Sequence, residues 1–368
     1  MPPPPPQASL KLSESLPRYR PSKSFQDTHP NAEITSLDFD DSGEFCIAAS
    51  DDETLQLYDC RLGKHQKQLF SKKYGVHLAK FTHTTTQVIY ASTKENDTIR
   101  YLSLHDNSYR RYFVGHTGKV NCLEVCPTSD QFISTSMDNT LKLWDLNSQH
   151  FHGQLVLPSP LLAAFDPSGI IFAVATPHSA PPSILLYDLR NYDKQPFATF
   201  PLPDTKYLQS TRQAMPTWSK LEFSNDGKNL LLGTTGNHHY IIDSFKGSLV
   251  TRLIRDRGPP KRQNGHTWGT SGDVCWAPDA RFVIGAMAGA GQQGSADGGK
   301  GGVGLWDMGK GIPVEGCLRP GWELECPREA GGAGCVAFNG RSGLFATAGR
   351  EVVFWLPEMG EAGTGGIH

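Results

Sequence analysis

Residues 115–146 read GHTGKVNCLEVCPTSDQFISTSMDNTLKLWDL. Three short apolar runs lie in this stretch, parted by polar turns. Val120, Cys122 and Val125 lie on the first, Phe132 and Ile133 on the second, and Leu141, Leu143 and Trp144 on the third. Asp138 and Asn139 make the turn before the third run. Runs this short, bounded by turn formers, read as neighbouring strands of a small antiparallel sheet. Three such strands cannot bury their own faces, so the pattern should recur along the chain.

It does recur. The residue pair that closes the stretch, Trp144-Asp145, has counterparts at Tyr58-Asp59, Leu102-Ser103, Tyr187-Asp188, Ile242-Asp243, Trp306-Asp307 and Trp355-Leu356. Successive spacings are 44, 42, 43, 55, 64 and 49 residues. A period of about 40–45 residues that opens on Gly-His and closes on Trp-Asp resembles the WD repeat, one blade of a β-propeller. The longer spacings contain visible insertions at 201–216, 255–269 and 289–302. The expected fold is therefore all-β, a seven-bladed WD-repeat β-propeller. His116, Ser134, Asp138 and Trp144 resemble the hydrogen-bonded tetrad of that family, in which a buried polar chain is satisfied internally.

Blade one is expected at 34–39, 44–50 and 54–59, and blade two at 76–81, 87–92 and 98–103. The last blade ends near Leu356 without a fourth strand, and RYRPSKSFQ (18–26) precedes blade one with no blade of its own. We expect this N-terminal strand to join the last blade and close the ring, which hides edges that would otherwise template aggregation. Three regions follow: a disordered proline-rich start at 1–17 (MPPPPPQASL…), a propeller at 18–357, and a flexible glycine-rich tail at 358–368.

Composition excludes several function classes. The net charge is −2, so no bulk electrostatic attraction to nucleic acid or membrane is expected. No run of 18 apolar residues exists, so no helical membrane span is expected. The start lacks the apolar core of a signal peptide. Eight scattered cysteines without a close CxxC pair read as reduced thiols of an intracellular protein, several of them small core residues. The 38% apolar content suits strands with one buried face.

Longer strings carry a narrower resemblance. LFSKKYGVHLAKFTH (69–83), DTIRYLSLHDNSYRRYFVGH (97–116), LYDLRNYDKQPFATF (186–200), FSNDGK with IIDSFKG (223–247) and FWLP (354–357) are similar to one WD-repeat family. It is the WD-repeat subunit of the COMPASS histone methyltransferase, the WD repeat-containing protein 82 family. The resemblance runs from about residue 10 to 357. It implies a non-catalytic nuclear scaffold joining histone-three lysine-four methylation to transcription termination. The implied partners are the N-terminal region of the methyltransferase catalytic subunit, subunits of the cleavage/polyadenylation or phosphatase machinery, and the phosphorylated tail of RNA polymerase II. The loops at 255–262 and 289–302 look like departures from the family.

No catalytic, cofactor or metal residue is assigned. GSADGGKG (294–301) approaches a phosphate-binding loop, but Gly301 stands where a hydroxyl is required and no helix follows. His238-His239 are adjacent, so on a strand they face opposite sides and do not share an ion; they read as a turn entering a strand. Asp38, Asp40, Asp41, Asp51 and Asp52 read mostly as turn caps. A propeller hydrolase would need acid, base or metal groups converging in the channel, for which the sequence has no motif.

Two basic stretches are candidate binding surfaces. Lys72, Lys73 and Tyr74 with Arg100, Tyr101, Arg110, Arg111 and Tyr112 belong to the junction of blades one to three. Arginine and lysine among aromatic rings suit a phosphopeptide, through charge-assisted hydrogen bonds and stacking. Arg252, Arg255, Arg257, Lys261 and Arg262 read as a mobile basic loop that could meet RNA or an acidic partner by counterion release, although direct nucleic-acid binding is not expected.

Overall fold

A computed structural model describes residues 12–26, 32–158, 162–202, 216–256, 273–287, 301–311, 316–327 and 333–358. The chain opens with one helical turn, α1 (Leu12–Ser15), and a 3-10 turn (Leu16–Arg18), then β1 (Tyr19–Phe25). Blade one is β2 (Ile34–Phe39), β3 (Phe45–Ser50), β4 (Thr54–Asp59) and β5 (Lys64–Phe70). Blade two is β6 (His77–Phe81), β7 (Gln87–Ala91), β8 (Ile99–Ser103) and β9 (Ser108–Phe113). Blade three is β10 (Val120–Val125), β11 (Gln131–Ser136), β12 (Thr140–Asp145) and β13 (Gly153–Val156). Blade four follows as β14 (Leu162–Phe165), β15 (Ile171–Thr176), β16 (Ser183–Asp188) and β17 (Ala198–Pro201). Blade five is β18 (Trp218–Phe223), β19 (Asn229–Thr234), β20 (His238–Asp243) and β21 (Leu249–Ile254). Blade six holds β22 (Val274–Trp276), β23 (Phe282–Met287), β24 (Gly302–Asp307) and, after β25 (Cys317–Leu318), β26 (Trp322–Glu325). Blade seven is β27 (Cys335–Asn339), β28 (Leu344–Ala348) and β29 (Val352–Pro357).

These form seven separate sheets, the seven blades anticipated from the repeat. The ring closes as expected. β1 pairs antiparallel with β29, from Tyr19 opposite Pro357 to Phe25 opposite Val352, and supplies the fourth strand of blade seven. One connection was not anticipated: β25 leaves blade six and pairs in parallel with β21, giving blade five a fifth strand.

Each hydrophobic cluster sits between two consecutive blades. Phe113, Phe132 and Trp144 meet between blades two and three, Leu143, Phe172 and Tyr187 between three and four. The middle strands are therefore buried on both faces, as in β11 and β23, whereas the outermost strands β5 and β9 alternate buried and exposed. The expectation of one buried face per strand fails for the middle strands, because a blade packs against a neighbour on each side.

The N-terminus differs from the expected disorder up to residue 17. Leu16 is fully buried and Tyr19 stacks on Phe345 at 5.4 Å, so this stretch clamps the junction of blades six and seven. Residues 1–11 and 359–368 lie outside the described residues, as do 288–300, which carry most of the loop at 289–302 and the phosphate-loop-like string. Six of the eight cysteines are buried, at Cys46, Cys122, Cys126, Cys275, Cys326 and Cys335.

Candidate functional site

The four polar residues of blade three form one hydrogen-bonded chain. Trp144 Nε1 donates to Ser134 Oγ at 2.9 Å, and Ser134 Oγ lies 2.7 Å from His116 Nε2. His116 Nδ1 lies 2.9 Å from Asp138 Oδ2, which also accepts the Thr117 amide at 3.0 Å. Asp138 Oδ1 accepts the Thr140 amide and hydroxyl. The network assigns a proton to Nδ1 and leaves Nε2 as the acceptor, so a neutral imidazole satisfies every contact. Burial lowers the His116 pKa, against the pull of Asp138. Burial would raise Asp138, yet its hydrogen bonds from Thr140, Thr117 and His116 hold it at about 2. This chemistry locks the loop before β10 onto the tight turn between β11 and β12.

The basic and aromatic junction lies one blade upstream, and the structure divides it. Adjacent strand residues point to opposite faces of a sheet. Arg100 faces blade one and Tyr101 faces blade three. Arg100 is 3% exposed, with Nε donating to Ser92 Oγ at 2.8 Å and Nη2 to Asn96 Oδ1 at 3.3 Å. Its guanidinium carbon lies 3.4 Å from the Tyr74 ring centroid, 5.1 Å from that of Tyr112 and 5.7 Å from that of Tyr109. Arg100 is thus a buried post on which three tyrosines lean, not a free phosphate ligand as the sequence suggested.

Tyr101 and Arg111 belong to the other face. Tyr101 stacks on Phe113 at 6.4 Å and its hydroxyl bonds Gln87, while Arg111 donates to the Leu146 carbonyl. Arg110 is exposed and falls in a bulge of the β8–β9 pairing. The proposed eight residues therefore split: Lys72, Lys73, Tyr74, Arg100 and Tyr112 converge, and Tyr101, Arg110 and Arg111 do not join them.

The loop that presents the lysines is fixed by its backbone. Ser71 Oγ donates to the Gly75 carbonyl at 3.1 Å and lies 3.0 Å from the Tyr90 hydroxyl, which lies 2.9 Å from that of Tyr109. The Tyr74 carbonyl accepts the amides of Thr93 and Lys94. Gly75 sits at φ +67°, where a Cβ would fall 1.8 Å from Thr93 Oγ1. Glycine is required there by both conformation and space. Outward from this frame, Lys72 Nζ lies 5.4 Å over the Phe70 ring and Lys73 Nζ 5.1 Å over Tyr74. Phe70 is 58% and Tyr112 41% exposed. The exposed surface is two lysines set among three aromatic rings. Sequence reading missed Phe70 and Tyr109. The bulge between Tyr101 and Leu102 turns Tyr109 onto the Arg100 face, which simple alternation does not anticipate.

Two residues of the second basic stretch, Arg252 and Arg255, are among the described ones. Arg255 is 2% exposed, with Nε donating to His239 Nε2 and Nη2 to the Thr234 carbonyl, each at 2.7 Å. Arg252 lies in β21 beside β25. Arg257, Lys261 and Arg262 lie outside the described residues. His238 and His239 are inside β20, not in a turn before it.

The sequence also missed the central channel. Asp38 is a channel residue of β2 rather than a turn cap, and Lys80 Nζ bridges it to Glu124 at 3.6 and 3.2 Å. Across the channel Lys220 Nζ lies 3.7 Å from Asp273. Charged residues at inner-strand positions such as Lys80 and Lys220 were the available signal.

The WD domain, G-beta repeat family matches residues 20–59 and 107–145. Each matched stretch begins in the outer strand of one blade and ends in the third strand of the next, β1 to β4 and β9 to β12. The sequence repeat thus straddles two structural blades and ties each to its neighbour. Among curated proteins, the chain is 44% identical over 270 residues to Set1 complex component swd2 of Schizosaccharomyces pombe, covering 73% of this chain and 72% of that one. It is 38% identical to WD repeat-containing protein 82 of Drosophila melanogaster, over 96% of this chain and 99% of that one. It is 36% identical to COMPASS component SWD2 of Saccharomyces cerevisiae, over 93% and 96%. A seven-bladed ring with its repeats in this register, alike to these proteins over most of their length, belongs to the WD-repeat family that includes COMPASS component SWD2 and WD repeat-containing protein 82.

Proposed function

We propose that this chain is a non-catalytic scaffold subunit of a nuclear, COMPASS-type histone-three lysine-four methyltransferase assembly. The observation that carries this reading is the similarity to a COMPASS component over 93% of this chain and to a Set1 complex component over 73%. The architecture suits the role. A ring closed by its own N-terminal strand holds loops of seven blades in fixed relation, so partners meet a rigid surface. Affinity purification of the tagged chain from nuclear extract, read by mass spectrometry, tests it. Methyltransferase subunits should co-purify in stoichiometric amount. Recovery of cleavage/polyadenylation or phosphatase subunits without them would move the chain to the other assembly and overturn the reading.

A second reading concerns the surface used. Lys72 and Lys73, braced by Phe70, Tyr74 and Tyr112, favour an acidic or phosphorylated peptide such as a polymerase tail. Cations held over rings bind anions with little further ordering. Binding of a phosphoserine peptide should weaken as salt rises from 50 to 300 mM, since exposed charges are screened over about 8–10 Å near physiological ionic strength. Lys72→Glu with Lys73→Glu should reduce affinity about tenfold or more with no change in melting temperature. Equal affinity for the unphosphorylated peptide would remove this reading.

A further inference from the structure

The channel holds more negative charge than its own lysines neutralise. The inner strands and the residues just before them bring together four carboxyls, Asp38, Glu124, Glu222 and Asp273, and three ammonium groups, Lys80, Lys119 and Lys220. Lys80 is committed to Asp38 and Glu124, and Lys220 to Asp273. Glu222 Oε2 is buried and has no hydrogen-bond partner among the described residues. The cavity at this end of the channel is about 420 Å³, and Asp38, Lys80, Glu124, Lys220 and Glu222 all line it. A buried carboxylate without a partner is costly, and proteins retain such a group where something else completes it.

The surroundings define what would complete it. The same cavity is walled by Phe39, Phe165, Phe223 and Phe338, each at or near the end of the inner strand of a different blade. Carboxylates therefore sit deeper along the inner strands than these rings, and Asp166 and Asn225 line the cavity just beyond Phe165 and Phe223. An anion is disfavoured by the surplus of carboxyls. We propose that this end of the channel is a binding site for an organic cation carried on an alkyl arm, a primary ammonium or guanidinium, with Glu222 as its principal ion partner and the phenylalanines packing its methylenes. A cavity of this volume admits one such arm rather than a folded segment.

The titration of the site agrees with the geometry. Burial raises the Glu222 carboxyl to about 7, against the opposing pull of Lys220, and Asp273 and Glu124 raise it further. Burial likewise raises Asp38 to about 6, despite Lys80 and the Phe81 amide. Burial works against the ammonium of Lys80, but Glu124 and Asp38 together lift its pKa above the ordinary value. For Lys220, Asp273 and Glu222 do the same. The groups facing Glu222 are thus Lys220 on its own strand, Asp273 and Cys275 of blade six, Glu124 of blade three and Lys80 of blade two. Near neutral pH the surplus is relieved by a proton on Glu222, and an entering cation displaces that proton.

Calorimetric titration of the full chain with N-acetyl-arginine methylamide, N-acetyl-lysine methylamide and spermidine tests this. Expected is saturable binding of at least one probe, with affinity falling about tenfold from pH 8 to pH 6 as Glu222 takes up its proton. Proton release on binding near pH 7 should appear as a dependence of the measured heat on the buffer's ionisation enthalpy. Glu222→Gln should lower affinity at least tenfold, while Glu358→Gln, an exposed change just past β29 on the outside of blade seven, should leave it unchanged. Should Glu222→Gln not fold, Asp38→Asn takes its place and is expected to act in the same direction. Binding of a capped amino acid points to a partner's side chain, and binding of spermidine alone to a free polyamine. No saturable binding of any probe, or parent-like affinity in the channel variants, would overturn the proposal and leave the channel a purely structural network. The scaffold reading stands or falls separately, on co-purification.

Discussion

Blades three and five answer the same packing problem with opposite chemistry. In blade three, Phe132 pairs with Trp144 across β11 and β12, and Ser134 lies two residues on. In blade five, Leu230 pairs with Ile242 across β19 and β20, and Leu232 lies two residues on. The polar pair Ser134 and Trp144 thus has the apolar counterpart Leu232 and Ile242, all four essentially without solvent exposure. Blade three links its turn to the preceding loop by a hydrogen-bonded chain through His116 and Asp138. Blade five instead buries His239 one strand position away from the apolar core and caps it with Arg255 from the end of β21. What the two solutions share is a buried histidine held by hydrogen bonds, not a set of residues. A motif search tuned to the first solution overlooks the second.

The largest effect should come from truncating the residue that serves both purposes. Trp144→Ala removes a large buried ring and the donor to Ser134, and should cost about 3–5 kcal/mol in urea unfolding. Ile242→Ala should cost about 2–4 kcal/mol, from cavity formation alone. A loss at Trp144 no greater than at Ile242 would mean that the polar chain adds nothing. Transplanting the blade-five solution into blade three is the next test. Ser134→Leu strands both the Trp144 N–H and the ring nitrogen of His116, at about 1–3 kcal/mol for each group. Ser134→Thr keeps the hydroxyl and should lose less than about 1.5 kcal/mol. Similar losses for the two variants would break the comparison.

A smaller difference should appear with pH. The His116 pKa is lowered in the folded chain, chiefly by burial, so the unfolded chain binds the extra proton more readily as pH falls below about 6.5. Its contribution is present above that value and lost as pH falls, by up to about 1.4 kcal/mol per pH unit. The pKa values of Asp38 and Glu222 are raised in the folded state, so their linkage has the opposite sign and stability is lost as pH rises through about 6 and 7. Subtracting the stability of His116→Gln from that of the parent between pH 7.5 and 5 isolates the histidine, because the carboxyl contribution cancels. The difference should shrink as pH falls, and a constant difference would show that His116 is not kept neutral.

The two blades also show how far the sequence could be read. The ring, its closure by β1 and the positions of six degenerate blades followed from one complete repeat, because the period and the burial of middle strands leave a mark at every turn. The junction was half legible. Lys72, Lys73 and Tyr74 lie in a loop whose string is distinctive, but the placement of Arg100 and Tyr101 depends on which face each occupies, and a bulge beside them defeats counting by twos. Arg255 shows the same limit more sharply. A basic residue beside Gly-Pro-Pro reads as loop, yet the buried imidazole of His239 draws it inward. The channel was least legible, because its charged residues come from different blades and meet only when the ring closes.

The last prediction separates the two histidines by their partners. His116 faces a carboxylate that accepts its proton, whereas His239 faces a guanidinium that can only donate. Burial lowers the His239 pKa well below the ordinary value, and the Arg255 cation lowers it further. A double-mutant cycle on His116→Ala and Asp138→Ala should return a coupling of about 1.5–3 kcal/mol, the range for hydrogen bonds to a charged group with both partners buried. The cycle on His239→Ala and Arg255→Ala should return less, about 0.5–1.5 kcal/mol. The guanidinium spreads its charge over several N–H donors, so its bond to a neutral imidazole gains less than the imidazole N–H gains from the carboxylate of Asp138. If the second coupling equals the first, the guanidinium of Arg255 is stabilised as well as the carboxylate of Asp138. Asp273, whose charge raises the Arg255 pKa across the blade five–six junction, is then the partner to remove next.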